Sequence, residues 1–240
     1  IITLPLFFVI RFNLNKNITS KAINNVNEYK NVTNYLLQIT EHNIDFERNT
    51  ESFHNSKYFY KDNQYKKEMH SETPGVNIQN ADSFEYGNIN SKEKVKIIET
   101  QKVCYNVKAN YILQKKDGFL DFMMIALQPF SEDYGTLPNI WVQAGYNLRT
   151  DKYNGRKCYV LRLGDKSSYR EIWIDKEQNT LVRTVDEIYN RSYNEKVYSI
   201  KSDVVTNEDV TLPNLTGYTI KDSEDNVPSE YIGIYEKLGI

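Results

Sequence analysis

From residue 31 onward, large apolar residues recur at every second position of the chain. The pattern is clearest in "YNGRKCYVLRLGDKSSYREIWIDKEQNTLVRTVDEIYN", which runs from Tyr153 to Asn190. Such alternation is typical of β-strands with two different faces. Asn154-Gly155 is a strong signal for a two-residue hairpin, because both positions tolerate a positive φ. We therefore predict an α+β chain that is mostly antiparallel β, with a meander of roughly five strands in its second half.

The first half of the chain carries further strand signals. Tyr35, Leu37 and Ile39 share one face of a predicted strand. Two more strands are expected around a "KDNQ" turn at Lys61–Gln64, and another pair lies within "EKVKIIETQKVCYNV". The stretch "SETPGVNIQNADS" is predicted to be a loop, since it contains both proline and glycine.

Two segments depart from the period of two. "TSKAINNVNEYK" spaces its apolar residues as a helix does, with Thr19 or Ser20 as the N-cap. In "GFLDFMMIALQPFSEDYG" the apolar residues are too dense for a half-solvated strand. We predict a helix from Phe119 to Leu127 that Pro129 ends. Because this helix is apolar nearly all round, it is expected to be buried.

The chain starts with the uncharged stretch "IITLPLFFVI". It is shorter than the ~20 residues that span a bilayer. It matches the apolar centre of a secretory signal or the remainder of an anchor, and a buried strand is the alternative. We expect an extracytoplasmic protein of the cell envelope, with membrane association through this segment. The predicted organisation is an apolar segment at 1–18, a domain at 19–221 and a carboxy-terminal extension at 222–240.

Charge and composition exclude several classes of protein. The chain has 30 basic and 32 acidic residues, a net charge of -2, which lacks the basic excess of a nucleic-acid-binding protein. With 19 tyrosines, 10 phenylalanines and only 10 glycines, the composition favours strands. Cys104 and Cys158 form no CxxC unit; they are interpreted either as one disulfide of an exported protein or as two buried free thiols.

The sequence contains none of the common catalytic or metal-binding motifs. GxGxxG, GxxxxGK, HExxH and GxSxG are all missing, and the acidic runs lack calcium-loop spacing. His42, His54 and His70 fall on predicted strands or strand ends, where a histidine is usually plain surface. We therefore predict no catalytic residue, no metal site, no cofactor and no enzymatic activity.

The strand "YREIWID" places apolar side chains on both of its faces. Ile172 and Ile174 lie on one face, while Trp173 lies on the other with Tyr169 and acidic neighbours. A sheet with this pattern is predicted to be covered on one face and contacted by something on the other.

The succession of elements resembles a known superfamily. "YNGRKCYVLRL" leads to "REIWIDKEQNTLVRTVDE", to "EKVYSI" and to "TNEDVTLPNLTGY". Over Thr19 to Lys221 this order resembles the LolA/LppX-like lipoprotein carriers, especially their Gram-positive and clostridial envelope members, among them the spore-germination lipoproteins. The lipid-accepting cysteine of such lipoproteins is not present in the apolar segment.

The resemblance implies a curved, half-open β-barrel with helices on its concave side. In the carriers that cavity holds acyl chains without a cofactor. The ligand-cavity residues expected on this basis come from one predicted strand, the predicted helix and the strand after the Asn154-Gly155 hairpin: Tyr35, Leu37, Ile39, Phe119, Phe122, Met123, Leu127, Tyr159, Leu161 and Leu163.

Two functions follow from this interpretation. The first is a noncatalytic envelope protein that binds a lipid or another apolar ligand in the cavity. The alternative is an envelope or spore protein that binds and regulates a protein partner, as the spore-germination lipoproteins bind a cell-wall amidase. An open cavity favours the first function and a filled one favours the second.

Overall fold

The computed structural model describes residues 3–74, 82–130 and 143–225. The α-helices with defined bounds in these residues are α1 (Thr3–Tyr29), α2 (Asp121–Leu127) and α3 (Asn207–Val210). The strands are β1 (Asn34–Asp45), β2 (Thr50–Lys61), β3 (Gln64–Glu72), β4 (Ser83–Asn88), β5 (Glu93–Ile98), β6 (Val103–Ala109), β7 (Asn147–Tyr153), β8 (Arg156–Gly164), β9 (Ser168–Asp175), β10 (Leu181–Ile188), β11 (Ser192–Ser202) and β12 (Thr219–Asp225).

The strands form one sheet in the order β12-β6-β5-β4-β3-β2-β1-β11-β10-β9-β8-β7. Strands β2 to β6 pair antiparallel in chain order, and so do β7 to β11. Only β12 joins its neighbour β6 in parallel among the pairs whose register is defined. The sheet ends at β12 and β7, so the strands of the described residues do not close into a barrel. The predicted antiparallel sheet is confirmed.

The chain divides into two compact units. The first comprises Ile1–Asn31, Thr40–Ser52 and Leu120–Tyr198, and the second comprises Val32–Ile39, Phe53–Phe119 and Ser199–Ile240. In the first unit α1 contacts α2 and β9; in the second, α3 contacts β3. The predicted limits at 18/19 and 221/222 stay predictions, although β12 runs through the second of them.

Helix α1 is longer than the sequence pattern indicates. It runs from Thr3 to Tyr29, so both the strand alternative for the apolar segment and a helix start at residue 19 are wrong. Pro5 lies in the first turn, where proline is tolerated, and no glycine follows within the helix. No described helix is long and apolar enough to cross a membrane. The origin of residues 1–18 as a signal or anchor stays a prediction.

A buried hydrogen-bond group holds the middle of α1 in place. Thr19, predicted as an N-cap, is buried, and its hydroxyl donates to the carbonyl oxygen of Asn15 at 2.8 Å. The Nδ2 of Asn15 donates to the carbonyl oxygens of Gln143 at 2.8 Å and Tyr146 at 2.9 Å. These bonds tie α1 to the segment that leads into β7.

The hairpins agree with the turn signals. Asn154 and Gly155 have φ values of 47° and 80° between β7 and β8, and Asp62 and Asn63 are also left-handed between β2 and β3. Strand β4 was not predicted. Its first residue, Ser83, ends the stretch that was predicted as a loop, and residues 75–81 of that stretch lie outside the described part of the chain. Cys104 and Cys158 are free, buried thiols, so the disulfide alternative is wrong.

We expect Asn15→Ala to lower the free energy of unfolding by about 1–3 kcal/mol, because two carbonyl oxygens would lose their side-chain donor. Asn13→Ala is the matched control, since Asn13 is exposed on the same helix. It should change stability by no more than about 0.5 kcal/mol. Urea unfolding of both variants measures the difference, and equal effects would contradict the anchoring role of Asn15.

Candidate functional site

The ten predicted cavity residues divide between the two compact units. Tyr35, Leu37, Ile39 and Phe119 belong to the second unit. The first unit contains the other six: Phe122, Met123, Leu127, Tyr159, Leu161 and Leu163.

In the second unit the predicted residues lie in an aromatic core. Tyr35, Leu37 and Ile39 alternate on β1 and are buried, which confirms their predicted shared face. The Tyr35 ring lies 5.1 Å from the ring of Tyr60, between centroids. Such tilted aromatic pairs are favourable beyond the area that they bury.

Phe119 packs against two tyrosines that the prediction did not include. Its ring centroid lies 5.0 Å from that of Tyr58 on β2 and 5.3 Å from that of Tyr65 on β3. All three side chains are buried. The strand pattern of β2 and β3 was visible in the sequence, but the pairing of their faces with Phe119 depends on the tertiary fold.

Polar groups continue the same face of the second unit. Tyr58 stands opposite Lys67, Lys67 opposite Glu85, and Glu85 opposite Lys96 in the registers of β2 to β5. Directly opposite residues of an antiparallel pair share a face. The face therefore passes from buried aromatic rings to a row of charged side chains within two strands.

Glu85 is the buried acceptor of this row. Lys94 Nζ lies 2.9 Å from its Oε2, and the Tyr65 hydroxyl donates to its Oε1 at 3.3 Å. Burial, together with the charge of Glu85, raises the pKa of Tyr65, so its hydroxyl stays protonated. Burial also lowers the pKa of Lys67; Glu85 opposes this shift, while Lys94 and Lys96 add to it.

In the first unit α2 is apolar on both its buried and its exposed sides. Met123 and Leu127 are buried, whereas Phe122 is 38 % and Ile125 is 62 % exposed. The prediction that this helix is buried on all sides is therefore wrong. The predicted start at Phe119 belongs instead to the preceding 3-10 helix at Lys116–Phe119. The α-helix ends at Leu127, and a 3-10 turn that contains Pro129 follows it, as the proline signal indicated.

Strand β8 buries side chains on both of its faces. Leu161 is fully buried, while the other two predicted residues of its face, Tyr159 and Leu163, are half-buried. Val160 of the opposite face is also fully buried, in a cluster with Trp173 and neighbouring apolar side chains. The sequence prediction missed this second core.

Two arginines of the chain cover Trp173. They are therefore the groups that contact the Trp173 face of the sheet. The guanidinium carbons of Arg149 and Arg183 lie 5.1 Å and 4.9 Å from the Trp173 ring centroid. Glu171 is buried beside the ring and accepts from Trp173 Nε1 at 2.9 Å. It also accepts from Arg149 and Arg162, each at 2.9 Å. The cations of this face are thus paired with carboxylate and aromatic groups.

The described groups give no sign of nucleophilic or metal chemistry. Burial raises the pKa of the Cys104 thiol, and burial with nearby Asp175 raises that of Cys158, which disfavours the thiolate. His42 Nε2 lies 2.7 Å from a Glu51 oxygen, and His54 Nδ1 lies 2.9 Å from the Ser71 hydroxyl. Within residues 3–74, 82–130 and 143–225 no group of three His, Cys, Asp or Glu is placed to hold a metal ion.

No family model and no curated protein sequence matches this chain. Solved structures do resemble it. LprF from Mycobacterium bovis matches with a TM-score of 0.42 at 10 % identity, over 85 % of this chain and 97 % of LprF. The Mycobacterium tuberculosis lipoprotein LppX matches with a TM-score of 0.38 at 12 % identity, over 80 % of this chain and 97 % of LppX.

The Pseudomonas aeruginosa MucA/MucB complex matches with a TM-score of 0.38 at 9 % identity, over 82 % of this chain. This chain spans only 61 % of the P. aeruginosa chain. The LolA/LppX-like resemblance and its clostridial and spore-germination subtype stay predictions. All three TM-scores lie below 0.5, so we base no functional argument on them.

We expect Phe119→Ala to lower the free energy of unfolding by about 3–5 kcal/mol, since it would leave a cavity beside Tyr58 and Tyr65. Phe122→Ala removes the same ring at an exposed position of α2 and should cost about 1 kcal/mol or less. Chemical denaturation of both variants tests the difference. A small effect at Phe119 would show that its ring is not part of the permanent core.

Proposed function

We propose that this protein is a noncatalytic protein of the cell envelope that binds an apolar ligand, a lipid or an acyl chain, with α2 as a lid. The observation that carries the proposal is that α2 has large apolar side chains on both its buried and its exposed sides. Ile125 on the exposed side has 62 % of its surface in solvent, where apolar side-chain surface contributes little to the stability of the fold.

A helix with two apolar sides can exchange one apolar neighbour for another. Met123 and Leu127 hold α2 against the protein, while Ile125 and part of the Phe122 ring face solvent, where an apolar molecule can reach them. Met123 and Met124 also suit an adaptable contact, because the thioether side chain is flexible and polarizable. Movement of such a helix would substitute acyl chain for protein without exposing apolar surface to water.

The first half of α1 supports the same function. Leu6, Phe7, Val9 and Ile10 form an uncharged stretch, and each has more than half of its surface exposed. Helix α1 contacts α2 within the first unit. An exposed apolar surface of this kind marks a site for a lipid or another apolar partner. The concave-side position of the helices and the curved, half-open shape implied by the resemblance are part of this proposal.

Binding of a protein partner is the second candidate function. The observation that favours it is the burial of seven of the ten predicted cavity residues to 3 % exposure or less: Tyr35, Leu37, Ile39, Phe119, Met123, Leu127 and Leu161. A water-sized space beside these side chains would raise their exposure. A lipid in contact with them therefore requires a movement of the protein, whereas a partner on its surface does not.

We expect Ile125→Asp to weaken binding of a fluorescent fatty-acid probe by tenfold or more while the melting temperature changes little, because the new charge lies in solvent in the unbound protein. Ile188→Asp is the matched control: this isoleucine is 50 % exposed at the end of β10, in the same unit. It should bind the probe as the wild type does.

Native mass spectrometry of the purified chain, with extraction of bound lipids, identifies any ligand that is retained. Failure of the wild-type protein to bind any acyl probe would overturn the lipid proposal and favour the protein partner. Equal loss of binding in both aspartate variants would remove α2 as the binding element.

A further inference from the structure

Three lysines of the second unit, Lys67, Lys94 and Lys96, form a lysine row on one face of the sheet. Lys67 on β3 and Lys96 on β5 each stand opposite Glu85 on β4. Lys94 lies two residues before Lys96 on the same strand and reaches the same carboxylate. The three ammonium groups are therefore neighbours on one surface.

The lysine row has more positive than negative charge. Glu85 is its acceptor, and its two oxygens already face Lys94 and the Tyr65 hydroxyl. In the described part of the chain Lys67 and Lys96 have no carboxylate within ion-pair distance. The nearest acids along the same strands, Glu68 and Glu93, occupy alternate positions and project from the opposite face.

The excess of positive charge matters most at Lys67, whose ammonium group is largely removed from water. Its pKa is lowered by burial, with further lowering by Lys94 and Lys96, which Glu85 only partly opposes. A charged group that is desolvated among like charges is unfavourable unless an anion joins it. An oxyanion between these side chains would accept charge-assisted hydrogen bonds from them.

Aromatic rings lie directly beside the lysine row, on both of its sides. Lys67 Nζ is 5.3 Å from the ring centroid of Tyr58, and Tyr58 packs against Phe119. On the other side, Lys96 stands opposite Tyr105 on β6, whose ring lies 5.9 Å from Lys221 Nζ. Tyr58 and Phe119 are buried, whereas Tyr105 is half-buried and accessible. Cations next to this accessible ring suit a molecule with an anionic group and an apolar part.

We propose that the lysine row binds the phosphate of an anionic lipid headgroup, with Lys67 and Lys96 as the main donors. This inference rests on the proposed lipid-binding function and adds the class of ligand. Lysine binds phosphate as a compact point charge, and several lysines around one phosphate divide its charge among them.

The test compares dihexanoyl phosphatidic acid with dihexanoylglycerol, which has the same acyl chains and no phosphate, by isothermal titration calorimetry. The wild-type protein should bind the phosphatidic acid about tenfold or more tightly. The double variant Lys67→Gln, Lys96→Gln should lose this preference and bind both lipids alike. Lys67→Arg should retain it, because the positive charge remains.

The matched control is the double variant Lys57→Gln, Lys108→Gln. These lysines belong to the same unit and pair with Glu68 and Glu93 on the opposite face of the sheet. The control removes the same charge and should keep the wild-type preference. Thermal melts verify folding, and the single variant Lys96→Gln, at a half-buried position, provides a second measurement if the double variant fails to fold.

The outcomes separate this inference from the function on which it rests. Binding of both lipids without preference, in the wild type and in the lysine variant, would leave lipid binding intact and overturn the lysine row. Binding of neither lipid would overturn the proposed function itself. Inorganic phosphate that binds as tightly as phosphatidic acid, and only with the lysine row intact, would assign the site to free phosphate and overturn the headgroup inference.

Discussion

Cross-strand register decides which side chains of this sheet meet. In the second unit Tyr58, Lys67, Glu85 and Lys96 form a continuous row because each stands opposite the next in an antiparallel pair. A slip of one residue in β3 would move Lys67 to the other face and replace it with Lys66 or Glu68. The aromatic core around Phe119 would lose Tyr65 in the same slip, so the packing of the core also fixes the position of the charged row.

The basic side chains around Glu171 in the first unit and around Glu85 in the second are neutralised in different ways. In the first unit Arg149 and Arg162 share the buried carboxylate of Glu171, and Arg183 lies near a Glu195 oxygen at 2.5 Å. The guanidinium groups also stack on aromatic rings, as this planar group does readily. In the second unit Glu85 pairs with Lys94, while Lys67 and Lys96 stand opposite it in register with no carboxylate within ion-pair distance among the described residues. Because the arginines around Trp173 are already paired and Lys67 and Lys96 are not, within the described part of the chain, we propose ligand binding at the lysines and a structural role for the arginines.

Helix α2 joins buried and exposed apolar surface in seven residues. Its buried side chains contribute to stability as core residues do, whereas its exposed side chains contribute little to the folded state in water. A protein that retains large apolar groups at such positions gains from them only when another molecule covers them. The exposed apolar side chains in the first half of α1 likewise contribute little to stability in water. They would become stabilising when a ligand covers them, as proposed for α2.

The sequence by itself determined most of the strands, the Asn154-Gly155 turn and the buried face of β1. It could do so because alternation and turn chemistry are local properties of the chain. It did not reveal β4, which is six residues long and begins at Ser83, the last residue of the stretch predicted as a loop. It also placed the start of α1 at residue 19, because the apolar run before that position was interpreted as a signal, an anchor or a strand.

Only the tertiary structure decided which faces and strands became neighbours. The parallel pairing of β12 with β6, the arginines over Trp173 and the division of α2 into buried and exposed sides all depend on residues distant in sequence. The candidate cavity was predicted from the resemblance, and its residues were chosen by apolar spacing. Spacing indicates which residues share a face but not what covers that face. The lysine row was not predicted either. Lys67 and Lys96 are brought together by β4, the strand between them that carries Glu85, and the sequence pattern did not reveal this strand.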